Sequence, residues 1–397
     1  MGEPIGSAAG AVLAEHSHGV GAPATTRAQL LRSRDVADFP IVTGREEEWR
    51  FTPIRRLRGL SNGTFVPAPV GLSYHSLSIP DGVTVTCTPR ESAQFGAVLT
   101  PFDRVSAQAM TSATDAVTVE VAPNAAPTEP IVLRVEGKGA HHGVAFGHTV
   151  LNVGASAQAV VVLDHVGSAT LADNVEISVG ANASLRLISI ADWDRDAVQL
   201  QHHKARLDRD ASLTHIAVTL GGDVVRQYTS VEFAGRGAQV DAYGIYFADA
   251  GQHLEHRLLM DHGVPDCRSN VGYRGALQGQ DAHTVWVGDV LIRPEATGTQ
   301  TYEINRNLVL TDGARADSVP NLEIQTGEVV SAGHASATGR FDDEQLFYLQ
   351  ARGIPEAEAR RLVVRGFFAE LVNKIGLPDI QDRLSSAIEA RLAVRGV

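Results

Sequence analysis

A turn built on small residues recurs along this chain: GASAQ at Gly154, GANAS at Gly180, RDASL at Arg209 and GRGAQV at Gly235, about every 26 to 30 residues. Each copy introduces a fresh β-forming run, AVVVLDHV, SLRLISI, THIAVTL and AYGIYF in turn. A supersecondary unit returning at this period marks a solenoid, in which each coil buries its inward row only against its neighbours. Recurrent Gly and Ala are then expected at corners where φ turns positive or two coils come close. A large β-sandwich would account for the strands but not for the repeated turn.

The reading divides the chain in three. Residues 1–70 read as an irregular N-terminal region with a short helix around TTRAQLLRSRDVADF. Residues 71–338 form the β-core, with further runs such as VTVTC, AVTVEV, PIVLRV, NVEISV, TSVEF and TVWVGDVLI. Residues 339–397 switch to a 3.6-residue period. DDEQLFYLQARG opens with acids and closes on Gly353. Pro355 starts a second helix with Leu362 or Val363, Phe367, Leu371 and Ile375 on one face. A third carries Ile380, Leu384, Ile388 and Leu392 at a spacing of four. The expected class is mainly β, a parallel β-helix with helical flanks, the last three helices forming an appendage.

Composition narrows the function. At 397 residues and 44% hydrophobic content the chain can bury a sizeable core. Acidic residues outnumber basic ones by 46 to 34, with no dense basic block, so nucleic acid is not an expected partner. Cys87 and Cys267 are too few for a disulfide framework and form no CxxC pair, which fits a reducing compartment. The start, MGEPIGSAAGAVLAEHSHGV, lacks the basic segment of a secretion signal, and no run of about 18 apolar residues suggests a membrane span. A cytoplasmic protein is expected, with no membrane insertion.

Walker, HExxH, EF-hand and zinc-finger spacings are absent from the sequence. GLSNG, Gly59 to Gly63, fits GxSxG, but TFVPAPVG follows it and cannot form the helix a nucleophile elbow needs, so Ser61 is not expected to be catalytic. Histidines cluster at His141 and His142, at His202 and His203, and in HLEHRLLMDHGVPDC with His253, Glu255, His256, His262 and Cys267. On a strand, His253 and Glu255 share one face while His256 points the other way. These read as surface or corner histidines, with a soft-metal site as the alternative. A β-helix also suggests polysaccharide lyases and hydrolases, but no secretion signal is visible and the terminal helices look more like a docking element.

From His253 to Ile375 the chain resembles the SufB/SufD family of iron–sulfur cluster scaffold proteins, through HGVPDCRSNVGYRGAL, then PNLEI at Pro320, then DEQLFYLQARGI at Asp343. The resemblance implies a right-handed parallel β-helix and a non-catalytic scaffold role beside a SufB paralogue and the ATPase SufC, ATP being bound only by SufC. In that family the β-helix pairs SufD with SufB, a homodimer being the counterpart for an isolated chain, and the C-terminal helices dock SufC. Here Asp343, Glu344, Gln345, Leu346, Phe347, Tyr348, Arg352, Gly353 and Phe367 would serve that docking. SufB proteins carry a cysteine in a CGAHT-like segment where this chain has Ala314 in ARADSVP, which favours the SufD side of the family. The SufD histidine, usually within CSHGATVG, matches His334 in SAGHASATG, with Ala332 in place of the cysteine and Ala335 in place of the glycine. His334 is thereby expected to contribute to a transient iron–sulfur cluster at the SufB interface, as a metal ligand or polar participant, the isolated chain holding none. A neutral imidazole can ligate iron beside thiolates. The plainer alternative is a histidine that orders the strand-to-helix corner by hydrogen bonds.

Overall fold

The computed structural model describes residues 26–68, 71–92, 94–341 and 343–393, and for residues 28, 343, 345 and 393 the backbone alone. Two nine-stranded sheets face each other across a lumen, and from Ile131 onward successive strands alternate between them. Neighbours within a sheet are parallel and in register: Val144 lies opposite Thr170, Val198 opposite Val224 and His283 opposite Arg315. Each coil therefore takes 26 to 32 residues, and the fold is a parallel β-solenoid. Its first coil is closed by a splayed hairpin whose two arms lie in different sheets, Leu72–Ser78 paired antiparallel to Ile131–Lys138 and Val83–Pro89 to Asp115–Val121.

The recurrent turns are stacked corners. Positive φ falls on the residue just before an alanine in each: Ser156 (59°), Asn182 (57°), Asp210 (57°) and Gly237 (77°). Asn and Asp tolerate this region because their short polar side chains bond locally. The following Ala157, Ala183, Ala211 and Ala238 are at most 1% exposed and form an inward ladder. Successive corners are tied by Ser156 N donating to the Ala181 carbonyl, Asn182 N to Arg209 and Asp210 N to Arg236. Gly154 and Gly235 serve the second of the two expected uses, close approach of coils: a Cβ on Gly235 would lie 2.0 Å from the Arg209 nitrogen. Cys267, 1% exposed after Asp266 at φ 58°, occupies the same position as the alanines.

Both sheets are covered on their outer faces. Helix α1 (Arg104–Ser112), which sequence reasoning missed, is capped by Asp103 accepting from Ser106 N at 2.8 Å. Val105 and Ala109 of α1, with Trp49, Leu57 and Leu60, pack on Val144, Ala172, Val198, Leu200 and Val224. The helix expected over TTRAQLLRSRDVADF is absent from its described part, which forms only 3₁₀ turns at Arg27–Gln29 and Val36–Asp38. Tertiary contacts override propensity there: Ser33 N donates to the Pro101 carbonyl, and Leu30 packs against Phe102 and Tyr228.

At the other end α2 (Asp343–Gln350), α3 (Glu356–Ile375) and α4 (Pro378–Ala393) form as expected but are no loose appendage. Val364, Phe368, Leu371, Ile375, Leu384 and Ile388 bury the outer face of the other sheet around Ile188, Ile216, Val218, Ile245 and Phe247. Leu371 and Ile375 of the expected α3 face are buried, but in its first half the face is turned by one residue, Val364 and Phe368 carrying it while Leu362 is 39% exposed. The two-residue link Gly376–Leu377 and the packing of Leu377 on the sheet fix that rotation, which helix periodicity alone leaves free.

Replacing Gly235 by Ala is expected to cost about 2 kcal/mol, because the clash is with backbone. Gly327→Ala, where nothing lies within 4 Å of the added Cβ, is the control and should change stability by less than about 0.5 kcal/mol. Thermal unfolding of the two variants checks the corner geometry.

Candidate functional site

Two of the three histidine groups are buried rather than at the surface. His202, His203, His253, His256 and His262 are at most 3% exposed, each set within a strand. Only the pair His141 and His142 lies exposed at a turn, as expected. Strand alternation sends His253 outward, where its Nε2 lies 3.1 Å from Glu255. That carboxylate also accepts from Arg257 Nε at 2.7 Å and Thr52 Oγ1 at 2.7 Å. Burial pushes the Glu255 carboxyl up, but Arg257 and Arg226 outweigh it and hold it well below the ordinary carboxylate range. His165, His203, His215, His256 and His262 point into the lumen, where burial drives His165 and His215 down to about 4 and His256 and His262 to about 3. His203 Nδ1 and His215 Nε2 meet at 2.9 Å. Among the described residues no group of three or more His, Cys, Asp or Glu could hold a metal ion.

Ser61 lies in a run of turns followed by extended chain, so no elbow surrounds it. Cys87 is exposed on the N-terminal hairpin.

His334 sits on the last strand of its sheet, Val329–Arg340, directly opposite Glu303 of Thr299–Val309. Glu303 is in the lumen-facing row and 1% exposed. Among the described residues no further coil covers His334, so its side chain is 42% exposed while its Nδ1 lies 4.0 Å from Glu303 Oε1. That oxygen accepts no hydrogen bond, and neither does the nearby Trp286 Nε1 donate one. Burial, with a smaller contribution from the Asp289 charge, pushes the Glu303 carboxyl up to about 8. Beside this pair Ser336 Oγ donates to Ser318 Oγ at 2.8 Å, joining the two terminal strands across the lumen mouth. Ala314 stands at the start of the other terminal strand, Arg315–Ile324, partly buried against the lumen core.

Of the residues matched to a docking role, Phe347 and Tyr348 are 71% and 57% exposed on α2, with the Arg352 guanidinium 3.7 Å from the Tyr348 ring centre. Gly353 turns the chain at φ 83°. Leu346 is buried at 7%, and Phe367 is partly buried against the outer-face core with Arg274 over its ring. Glu344 is exposed on α2, and the side chains of Asp343 and Gln345 lie outside those described.

The last coil of the solenoid thus carries a half-exposed imidazole over a buried carboxyl at its mouth. Residues 135–367 match the profile of the SUF system FeS cluster assembly, SufBD core domain. The chain is 54% identical over 377 residues to the iron-sulfur cluster assembly SufBD family protein of Mycobacterium tuberculosis H37Rv, covering 94% of each chain. It is equally 54% identical to that of Mycobacterium leprae, over 94% of this chain and 95% of the relative. A second SufBD family protein of Mycobacterium tuberculosis is 28% identical over 201 residues, 51% of this chain and 24% of its own length. The chain belongs to the SufBD family of iron–sulfur cluster assembly proteins, and its role lies in that assembly. No described helix is long and apolar enough to cross a membrane.

The lumen histidines set an acid limit. Each is neutral in the folded chain and titrates near 6.5 when unfolded, so below that pH the unfolded state binds more protons and stability falls. Glu303 and Asp173, raised to about 8 and about 7, act oppositely and lose stability as pH rises through those values. Five histidines against two carboxyls predict greatest stability near neutrality and a melting temperature lower by at least about 5 °C at pH 4.5 than at pH 6.5. Calorimetry across that range checks it.

Proposed function

We propose that this chain is the SufD-type, non-catalytic scaffold subunit of a cytoplasmic SufBCD complex, pairing with SufB through the open end of the solenoid. The observation that carries the reading is the uncapped terminal coil with His334 at its mouth. The strand Val329–Arg340 is 12 residues long, contains no proline and one charge, and presents a free edge bordered by Val330 at 70% and Tyr302 at 46% exposure. Protected edges are usually shortened, charged or interrupted by proline. Its neighbour in the other sheet has Pro320, Arg315, Asp317 and Glu323 as such devices. An edge of small residues suits backbone pairing with a second solenoid, which would bring that chain's donors to His334.

The imidazole supplies one neutral nitrogen donor for a transient cluster, the cargo of assembly, and one such donor cannot hold a cluster alone. Thiolates from SufB would complete the set, which accords with Ala314 and Ala332 standing where relatives carry cysteines. The exposed aromatics of α2 would dock SufC, whose ATP this chain does not bind. The covered outer faces speak against a polysaccharide groove, which needs an open sheet.

Co-expression with SufB and SufC followed by anaerobic visible spectroscopy tests the site. His334→Ala is expected to leave the complex intact and lower its cluster absorption about tenfold. Normal cluster content in the variant would remove the chemical role of His334. Docking is better tested by substitution than by truncation, since removing residues after 339 would strip the apolar cover from Ile216, Ile245 and Phe247. Phe347→Asp with Tyr348→Asp should weaken SufC binding by about 2 kcal/mol at an unchanged melting temperature, measured by calorimetry.

A further inference from the structure

Glu303 is placed where a structural carboxylate would not be. It is 1% exposed, and its Oε1 has no hydrogen-bond donor. A buried, unbonded carboxyl oxygen costs on the order of 1–3 kcal/mol, more if charged. No cation pairs with it in the way that Arg226 and Arg257 pair with Glu255 on the outer face. Space for it depends on Gly288, where a Cβ would lie 2.5 Å from Glu303 Oε2 and 2.4 Å from the Trp286 ring. The free oxygen lies 4.0 Å from Nδ1 of the His334 imidazole, a side chain 42% exposed.

We infer that Glu303 is a second donor of the His334 site, and that the carboxylate and imidazole close together on one divalent transition-metal ion, ferrous iron, arriving for cluster assembly. The inference rests on the reading of His334 given above. Imidazole and carboxylate donors bind first-row divalent ions at about 2.0–2.2 Å, which sets two donors of a tetrahedral ion about 3.4 Å apart. The present separation exceeds this by about 0.6 Å, within reach of a half-exposed side chain on a terminal strand. A mixed nitrogen and oxygen pair suits a borderline ion better than a hard or soft one. Binding would release the Glu303 proton to solvent, and the cation would take its place on the side of the carboxylate that has no donor. Two protein donors leave most of the coordination sphere open, as handing iron to a partner's thiolates requires.

The test is titration of the full-length metal-free chain with cobalt(II), read by its visible absorption. One ion per chain is expected for the wild type, with Glu303→Gln and His334→Ala each weakening binding at least about tenfold and the double variant no weaker than the worse single one. A Glu303→Gln chain that titrates like the wild type, or a wild type no better than the double variant, would overturn the inference. Should Glu303→Gln fail to fold, Glu303→Asp keeps the charge but withdraws it by one methylene, and unchanged cobalt binding there would equally overturn it. In the SufB–SufC complex, cluster lost in His334→Ala but kept in Glu303→Gln would remove Glu303 while the scaffold reading stands. Cluster kept in both would remove the chemical role of His334, and the inference with it, while the scaffold reading stands.

Discussion

The backbone hydrogen-bond ladder between coils is the interaction on which everything else in this molecule depends. It holds each strand at one register against the coils before and after it, so every inward residue meets its counterpart one coil away. Stacked corners with their alanine row keep successive coils at constant spacing. Such a ladder must stop twice. At the N-terminal end the chain reverses and caps it with an antiparallel hairpin. At the C-terminal end no described strand pairs with the outer edge of Val329–Arg340, and the following helices run back along the outer face instead of covering that edge. The position of His334 follows from that asymmetry: a lumen-row residue with no coil above it is half-exposed, while Glu303 beneath it is sealed.

The same register explains the polar interior. Asp173, Gln201, His165, His203, His215 and His256 lie in lumen rows that the ladder cannot rearrange, so each is satisfied, where it is, by a neighbour one coil away or across the lumen. Asp173 accepts from Gln201 Nε2 at 2.6 Å, and Asn307 and Asn305 bond each other at 2.8 Å near the open end. Buried polar groups of this kind are high-stakes when partly satisfied. The unbonded atoms of His203, His215, His256, Trp286 and Glu303 are accordingly where the lumen departs most from an inert core.

The repeat period carried the fold, because corner spacing is a one-dimensional property that a single chain displays directly. Strands such as Val198–Leu207 and His253–His262 escaped as β runs since their inward rows hold Gln, His and Met among the aliphatics, which erases the apolar alternation. Burial of those histidines was invisible for the same reason: coils above and below hide them, not their own neighbours in sequence. His334 was legible only through family resemblance, as nothing local distinguishes it from a corner histidine. Glu303, 31 positions away, had no signal at all until the register placed it opposite. Helix α1 was missed because RVSAQAMTS, at nine residues, is too short for its period to stand out among the β runs, and it is held by packing on the sheet more than by propensity.

The central claim is that the terminal coil is an open edge completed by a second solenoid. Hydrogen–deuterium exchange on the monomeric chain and on its complex with SufB tests this most directly. The account predicts rapid exchange at the outward-facing amides of Val329–Arg340 in the monomer and strong protection there in the complex, with the N-terminal hairpin unchanged. Unchanged exchange in that strand on complex formation, with new protection appearing at Leu72–Ser78 or Val83–Pro89, would contradict it.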